Sequence, residues 1–217
     1  MSMSRPRRPV KGVRRYDASR RQERAREAYA ATLDAARELF LVQGYAATSV
    51  ESIGDAAGVS AATVYKSYGG KGGLLRELCH RALAGRGPIP AEQRSNALRA
   101  APDPRQVIEG WGKLTTEVAP RIAPLLLLLR DAARADPEAG ALYDELDAER
   151  LARMADNARY LASTGQLRVV AAEARDLMWL CTSPELYDLF INRRRWSVAK
   201  YSRFIVDTVT HTLLRPD

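Results

Sequence analysis

Residues 48–75 read TSVESIGDAAGVSAATVYKSYGGKGGLL, and this stretch decides the fold. Thr48-Ser-Val-Glu51 has the spacing of a capping box, in which the threonine oxygen takes a backbone N–H and Glu51 reaches back to the cap. A short helix follows, with Val50, Ile53 and Ala57 on its inward face. Gly58 permits a tight turn, Val59 can point into a core, and Ser60 is a good N-cap for a helix running to about Tyr68. Gly69, Gly70 and Lys71 end it. The next helix begins near Leu74, carries Leu75, Leu78, Ala82 and Leu83, and must stop by Gly85-Arg-Gly-Pro-Ile-Pro90. Two short helices joined by such a turn can place the second in the major groove of duplex DNA while the first braces it.

Working outward, Tyr29, Leu33, Ala36 and Phe40 recur at helical spacing, and Gly44 supplies a left-handed stop. Beyond residue 90 the chain is again helical. Asp103-Pro104, Asp136-Pro137 and Ser183-Pro184 each read as an N-cap followed by proline at the first helical position. Pro120 and Pro124 are expected to divide a helix pair. Leu142, Leu146, Met154, Ala158 and Leu161 trace a long helix that stops at Gly165, and Ser197 caps a final one with Tyr201, Ile205, Val209 and Leu213 inward. The sequence has no strand alternation, hairpin signal or internal repeat, so the expected fold is all-α with about nine or ten helices. Its expected divisions are a disordered basic arm over 1–20, a helix-turn-helix head over 21–84, and a larger helical domain over 91–217.

The net charge of +8 sits at one end. Residues 1–26 hold ten basic side chains against two acids, an excess equal to that of the whole chain. This is the footprint of an arm that meets a polyanion. Cys79 and Cys181 stand alone in no metal-binding spacing, so neither a disulfide, a metal nor a cofactor is expected, and a reducing cytoplasm suits them. The longest uninterrupted leucine run is Leu125–Leu129, far short of a membrane span. The N-terminus lacks the apolar core of a secretory signal.

The ordered set Thr48, Gly58, Tyr65 and Lys71 resembles the signature of the TetR family. There a threonine opens the second helix, a glycine sits in the turn, and a tyrosine ends the recognition helix ahead of a lysine. The resemblance implies that Thr48 sets the second helix against the DNA backbone. Ser60, Ala61 and Ala62 then start a helix whose small residues let it approach the bases. Thr63 and Lys66 would face base edges, and Tyr65 and Lys71 would reach phosphates. Arg14, Arg15, Arg20 and Arg21 of the arm would add contacts to the duplex. Three residues depart from the pattern. Gly54 stands where alanine is usual, at a cost to the second helix of up to about 1 kcal/mol; Tyr68 replaces phenylalanine; and Gly69-Gly70 loosens the link to Lys71.

Residues 177–205, LMWLCTSPELYDLFINRRRWSVAKYSRFI, resemble the end of many TetR-like regulators. Arg195 departs, since glycine commonly precedes that tryptophan. The resemblance implies a homodimer whose last two helices pair across a four-helix interface, with Leu186, Phe190, Ile205, Val209 and Leu213 as candidates. It also implies a small-molecule cavity. Trp111, Leu114, Val118, Arg121, Leu126, Tyr160, Trp179 and Cys181 lie on helices that would surround it, and an inward Arg121 would favour an anionic or carbonyl ligand.

Double-stranded DNA bearing an inverted repeat is therefore the expected partner, with a second copy of the chain and a small-molecule ligand beside it. No membrane partner is expected. Catalysis is not expected either: His80 and His211 are far apart with no nucleophile in a recognisable motif. Gly69-Gly-Lys-Gly-Gly73 lacks the spacing and the following Ser or Thr of a P-loop. The alternative is a basic helical scaffold that binds RNA or acidic membrane through its arm, which would leave the helix-turn-helix without a role.

Overall fold

The computed structural model describes residues 12–216, with side chains from residue 19. Its described residues form ten α-helices and no strand. In chain order these are α1 (Gly12–Gln43), α2 (Val50–Ala57), α3 (Ala61–Tyr68), α4 (Lys71–Ala84), α5 (Ala91–Ala97), α6 (Pro104–Ala132), α7 (Pro137–Ser163), α8 (Ala171–Cys181), α9 (Pro184–Tyr187) and α10 (Val198–Leu213). A 3-10 turn at Leu98–Ala100 precedes α6, and a π turn at Asp188–Arg193 extends α9. No described helix is long and apolar enough to cross a membrane.

The helix starts follow from local chemistry. Asp103, Asp136, Ser183 and Ser197 each adopt extended backbone and accept a backbone N–H from the first turn, and the first three are followed by proline, whose missing donor costs nothing there. Gly165 is left-handed just after α7.

Four features differ from the sequence expectation. The stretch 12–20, expected to be disordered, is the start of α1; it has no proline, and its Arg and Ala are good helix formers. The remainder of the arm, and the side chains of Arg14 and Arg15, lie outside the described residues. Secondly, Pro120 and Pro124 lie inside one unbroken α6 rather than between two helices. Each removes a ladder hydrogen bond, yet Ile122, Ala123, Leu125 and Leu126 around them are buried, so tertiary packing holds the segment helical. The cap of α2 is the third, taken up below with its site.

The fourth concerns the proposed interface. Ile205, Val209 and Leu213 are 4%, 5% and 1% exposed in the single chain. They pack with Trp111, Ala158, Met178 and Tyr201 in the chain's own second core, so they have no surface to give a partner. Leu186 and Phe190 are only half-buried. Exposed apolar side chains nearby are instead Leu180, Leu189 and Val198.

The first core is shared between the two ends of the chain. Leu33, Phe40, Ile53 and Val64 pack with Leu74, Leu75 and Leu78 of α4, and the same cluster takes in Ile122, Leu125 and Leu129 of α6 and Leu142 and Leu146 of α7. The helix-turn-helix is thus joined through α4 to the helices that bound the cavity.

Candidate nucleic-acid interface and adjoining cavity

Ser49, not Thr48, caps α2. Ser49 accepts from Ser52 N at 3.0 Å and Ser52 Oγ receives Ser49 N at 3.2 Å, completing a reciprocal box one residue later than expected. Thr48 is 2% exposed and its hydroxyl donates to Gly44 O at 2.8 Å. It therefore fixes the α1–α2 connection from inside and cannot reach a phosphate. Burial decides between two adjacent hydroxyls that sequence spacing treats as equals.

Gly58 ends α2 in the left-handed conformation, and Ser60 caps α3 through Thr63 N at 3.2 Å. The Ser60 and Thr63 hydroxyls also meet at 2.9 Å. In α3 only Val64 is buried. At about 100° per residue, an inward Val64 turns Lys66 and Ala62 outward with Thr63 beside them and Tyr65 on the flank. Ala62, Thr63, Tyr65, Lys66 and Ser67 are all exposed, whereas Ala61 packs partly against the core. Ser67 is absent from the set expected from the sequence because the motif names Tyr65 and Lys71 on either side of it and gives Ser67 no role. The exposed strip of α3 is short, mostly small, and rich in hydrogen-bonding groups.

Lys71 behaves otherwise than expected. Its Nζ donates to Tyr45 O at 2.9 Å and lies 4.4 Å over the Tyr45 ring. The ammonium is held against the α1–α2 connection, because the first residue of α4 points back across the turn. Burial, with Asp136 and Glu138 nearby, pushes the Tyr45 phenol up to about 12.

The three departures around the head acquire causes. A Cβ on Gly54 would lie 2.8 Å from Val59 O and 3.3 Å from Ala61 N, so glycine lets the turn close directly on α2. Gly69 and Gly70 adopt φ of 77° and 130°, conformations that L side chains avoid; the pair shapes a sharp corner rather than a loose link. The Tyr68 hydroxyl donates to Tyr29 O at 2.8 Å and its ring stacks on Tyr29 at 4.8 Å, a bond that phenylalanine could not make. Arg20 and Arg21 are exposed on α1.

A cavity of about 580 Å³ lies between α5, α6 and α7 and reaches the end of α4 at Leu83. Trp111, Leu114, Val118 and Leu126 line it, as expected, while Cys181 lines only a smaller adjoining space of about 50 Å³. Tyr160 and Trp179 stand behind the wall: Tyr160 meets the edge of Trp111 at 6.0 Å, and Arg150 covers the Trp179 ring at 4.7 Å. Arg121 also leaves the lining. It donates to Gly85 O at 2.9 Å and Arg81 O at 3.2 Å, because the carbonyls at the end of α4 offer acceptors that an apolar cavity does not. One turn away, Glu117 receives Arg94 at 2.6 and 2.9 Å and Arg86 N at 2.6 Å, and these donors hold its carboxyl down to about 2. Missed by the sequence are Thr115, Arg150, Arg153, Met154, Asn157 and Thr182 on the lining; isolated polar residues on a helix give no motif. The Cys181 thiol is pushed up to about 11 by burial.

The model of the bacterial regulatory proteins of the tetR family matches residues 33–78, from within α1 to the middle of α4. This segment of the chain is similar to the DNA-binding region that the model describes. Solved structures share the TetR-type fold along nearly the whole chain. NalD of Pseudomonas aeruginosa, the secondary repressor of the MexAB-OprM multidrug efflux pump, superposes with a TM-score of 0.69 at 20% identity, covering 90% of this chain and 100% of its own. SmeT of Stenotrophomonas maltophilia, solved as a triclosan complex, gives 0.67 at 18% identity, covering 87% and 92%. A transcriptional regulator of Saccharomonospora viridis solved with choline gives 0.67 at 19%, covering 88% and 99%. No curated protein matched the sequence. Regulators of the TetR family are DNA-binding proteins, and the exposed strip of α3 lies within the matched segment.

Proposed function

We propose that this chain is a cytoplasmic, sequence-specific transcription regulator, a homodimer that represses its targets and releases its operator when a small molecule fills the cavity. The division of labour is residues 21–84 for DNA and 91–217 for ligand and dimer. Bases are read by Thr63 and Lys66, with Ala61 and Ala62 permitting close approach. Tyr65, Ser60 and the arm residues Arg14, Arg15, Arg20 and Arg21 meet the phosphates. Dimer contacts centre on Leu186 and Phe190 together with the exposed Leu189 and Val198. The chain performs no catalysis.

One observation carries this reading: α3 fully buries a single side chain, Val64, and leaves Thr63, Tyr65, Lys66 and Ser67 exposed on its other faces. The coupling rests on the shared first core and on Arg121 and Glu117, which join α6, a wall of the cavity, to the end of α4. That fold-mates include a named efflux-pump repressor and a triclosan complex agrees with a ligand-released repressor. The test is selection of duplexes from a random pool by the full-length protein, followed by light scattering of the complex. The expected result is an inverted repeat with half-sites about one helical turn, or about 10 bp, apart, bound by two 24.0 kDa chains. Equal competition by bulk RNA or anionic vesicles, with no two-fold site, would overturn it.

A further inference from the structure

The walls of the cavity are mostly apolar, and its charged lining residues are largely spoken for. Arg153 bonds Glu92 through the backbone O at 3.0 Å and the carboxylate at 3.3 Å. Arg150 bonds Asp147 at 2.6 Å and also the Trp179 carbonyl. Asp156 pairs with Arg159. Glu149 is exposed to solvent.

Asn157 is different. It is 4% exposed and lines both the large cavity and the small one behind it. Its Oδ1 accepts from Arg99 Nη2 at 2.9 Å. A guanidinium has donors only, so this contact fixes which end of the amide is oxygen. The Nδ2 is then the end left for the cavity, and it bonds no acceptor among the described residues. Nδ2 is not sealed from that space, so an acceptor on a guest molecule can reach it.

We infer that the cavity selects an uncharged, largely apolar molecule whose oxygen acceptor, of the carbonyl class, is held by Asn157 Nδ2. This rests on the reading of the cavity as the effector site and names the ligand class for it. Arg99, drawing on Oδ1, polarises the amide and strengthens Nδ2 as a donor. The same positive charge disfavours a cation at that point. An anion would meet the carboxylates of Glu92, Glu149 and Asp156 along the lining and would find Arg150 and Arg153 already engaged, so its desolvation would go uncompensated.

Four probes on one diphenyl body test this: benzophenone, diphenylmethane, diphenylacetate and protonated diphenylmethylamine, each measured by equilibrium dialysis against the full chain. Benzophenone is expected to bind about five- to tenfold more tightly than diphenylmethane, the worth of one net hydrogen bond, and more tightly than either ion. Asn157→Asp keeps an acceptor for Arg99 but removes the donor, and is expected to bring the ratio to about one or below. Asn157→Leu, with folding checked by circular dichroism, should do the same. Equal binding of benzophenone and diphenylmethane, tightest binding of an ion, no binding of benzophenone, or an unchanged ratio in both variants overturns the inference. Release of the selected duplex, measured separately, distinguishes the two readings. An acceptor preference with no effect on DNA supports the inference and overturns the effector role, whereas release by both neutral probes alike does the reverse.

Discussion

α3 and α10 are both amphipathic, yet the sequence exposes the role of one and disguises that of the other. α3 fully buries one side chain, Val64, half-buries Ala61 and Tyr68 at its two ends, and leaves the five others exposed. Once the inward residue is known, what remains is the surface open to a partner. α10 buries Tyr201, Ile205, Val209 and Leu213 along one stripe, and the stripe says only that something covers it. Here the chain covers it itself, with Trp111, Met178 and Tyr187 among the partners. Apolar periodicity reports burial without reporting by whom. It therefore locates a binding face by subtraction more safely than a dimer interface by addition.

The sharpest way to break this contrast is Tyr201→Ala. The ring is 1% exposed, meets Tyr187 edge-on at 5.8 Å, and belongs to the chain's own core, so its loss should cost about 3–5 kcal/mol. Urea denaturation at several protein concentrations measures it. A loss that instead appears as dissociation into folded single chains would return this face of α10 to the interface.

On the α3 side, Lys66→Ala should relax base preference by about 1–3 kcal/mol and leave the melting temperature nearly unchanged, since the side chain is exposed. Binding to the selected duplex and to a scrambled one compares the two effects. Equal losses on both would assign Lys66 to phosphates and make the exposed strip a grip rather than a reader.

Gly54→Ala sharpens how tightly the helix-turn-helix is closed. Helix propensity alone forecasts a gain of up to about 1 kcal/mol, but the added carbon would press on the backbone of Val59 and Ala61. The expected outcome is a loss of about 1–3 kcal/mol by thermal or urea melting. A gain would show that the turn can step back without harm.

The smallest expected effect lies just before α10. Arg195 has φ of 55°, the left-handed region that costs an L side chain about 1–2 kcal/mol, while glycine gives back part of that through its freer unfolded chain. Arg195→Gly should therefore stabilise by up to about 1 kcal/mol, read as a rise in urea midpoint with an unchanged slope. The family resemblance places a glycine there, and the backbone angle explains the preference.

How far the sequence spoke varies with the range of the interaction. Helix starts at Asp103, Asp136, Ser183 and Ser197 were legible because a cap and its first turn are neighbours in sequence. The turn at Gly58 and the outward face of α3 were legible for the same reason. The choice of Ser49 over Thr48 was not, since it depends on which hydroxyl the core encloses. Pro120 and Pro124 suggested a break that burial on neighbouring positions overrides. The family resemblance places Arg121 on a helix around the cavity without saying which way it faces, and the bare carbonyls of α4 lie within its reach. Asn157 went unseen because its meaning comes from Arg99, 58 residues away in the chain.

The grip on the end of α4 has a mechanical consequence. α4 spans 14 residues, a rod about 21 Å long at about 1.5 Å per residue, with positive-φ glycines at both tips, Gly70 and Gly85. Arg121 and Glu117 clamp one tip from a single helix, and the corner at Gly70 hands the other tip to α3. A tilt of about 5° applied at the clamp would swing the far tip by about 2 Å, given that length. That distance exceeds the tolerance of a hydrogen bond to a base edge. Under the proposed function, α4 has the proportions of a lever, short enough to stay stiff and long enough to turn a slight change of angle beside the cavity into a missed contact at α3.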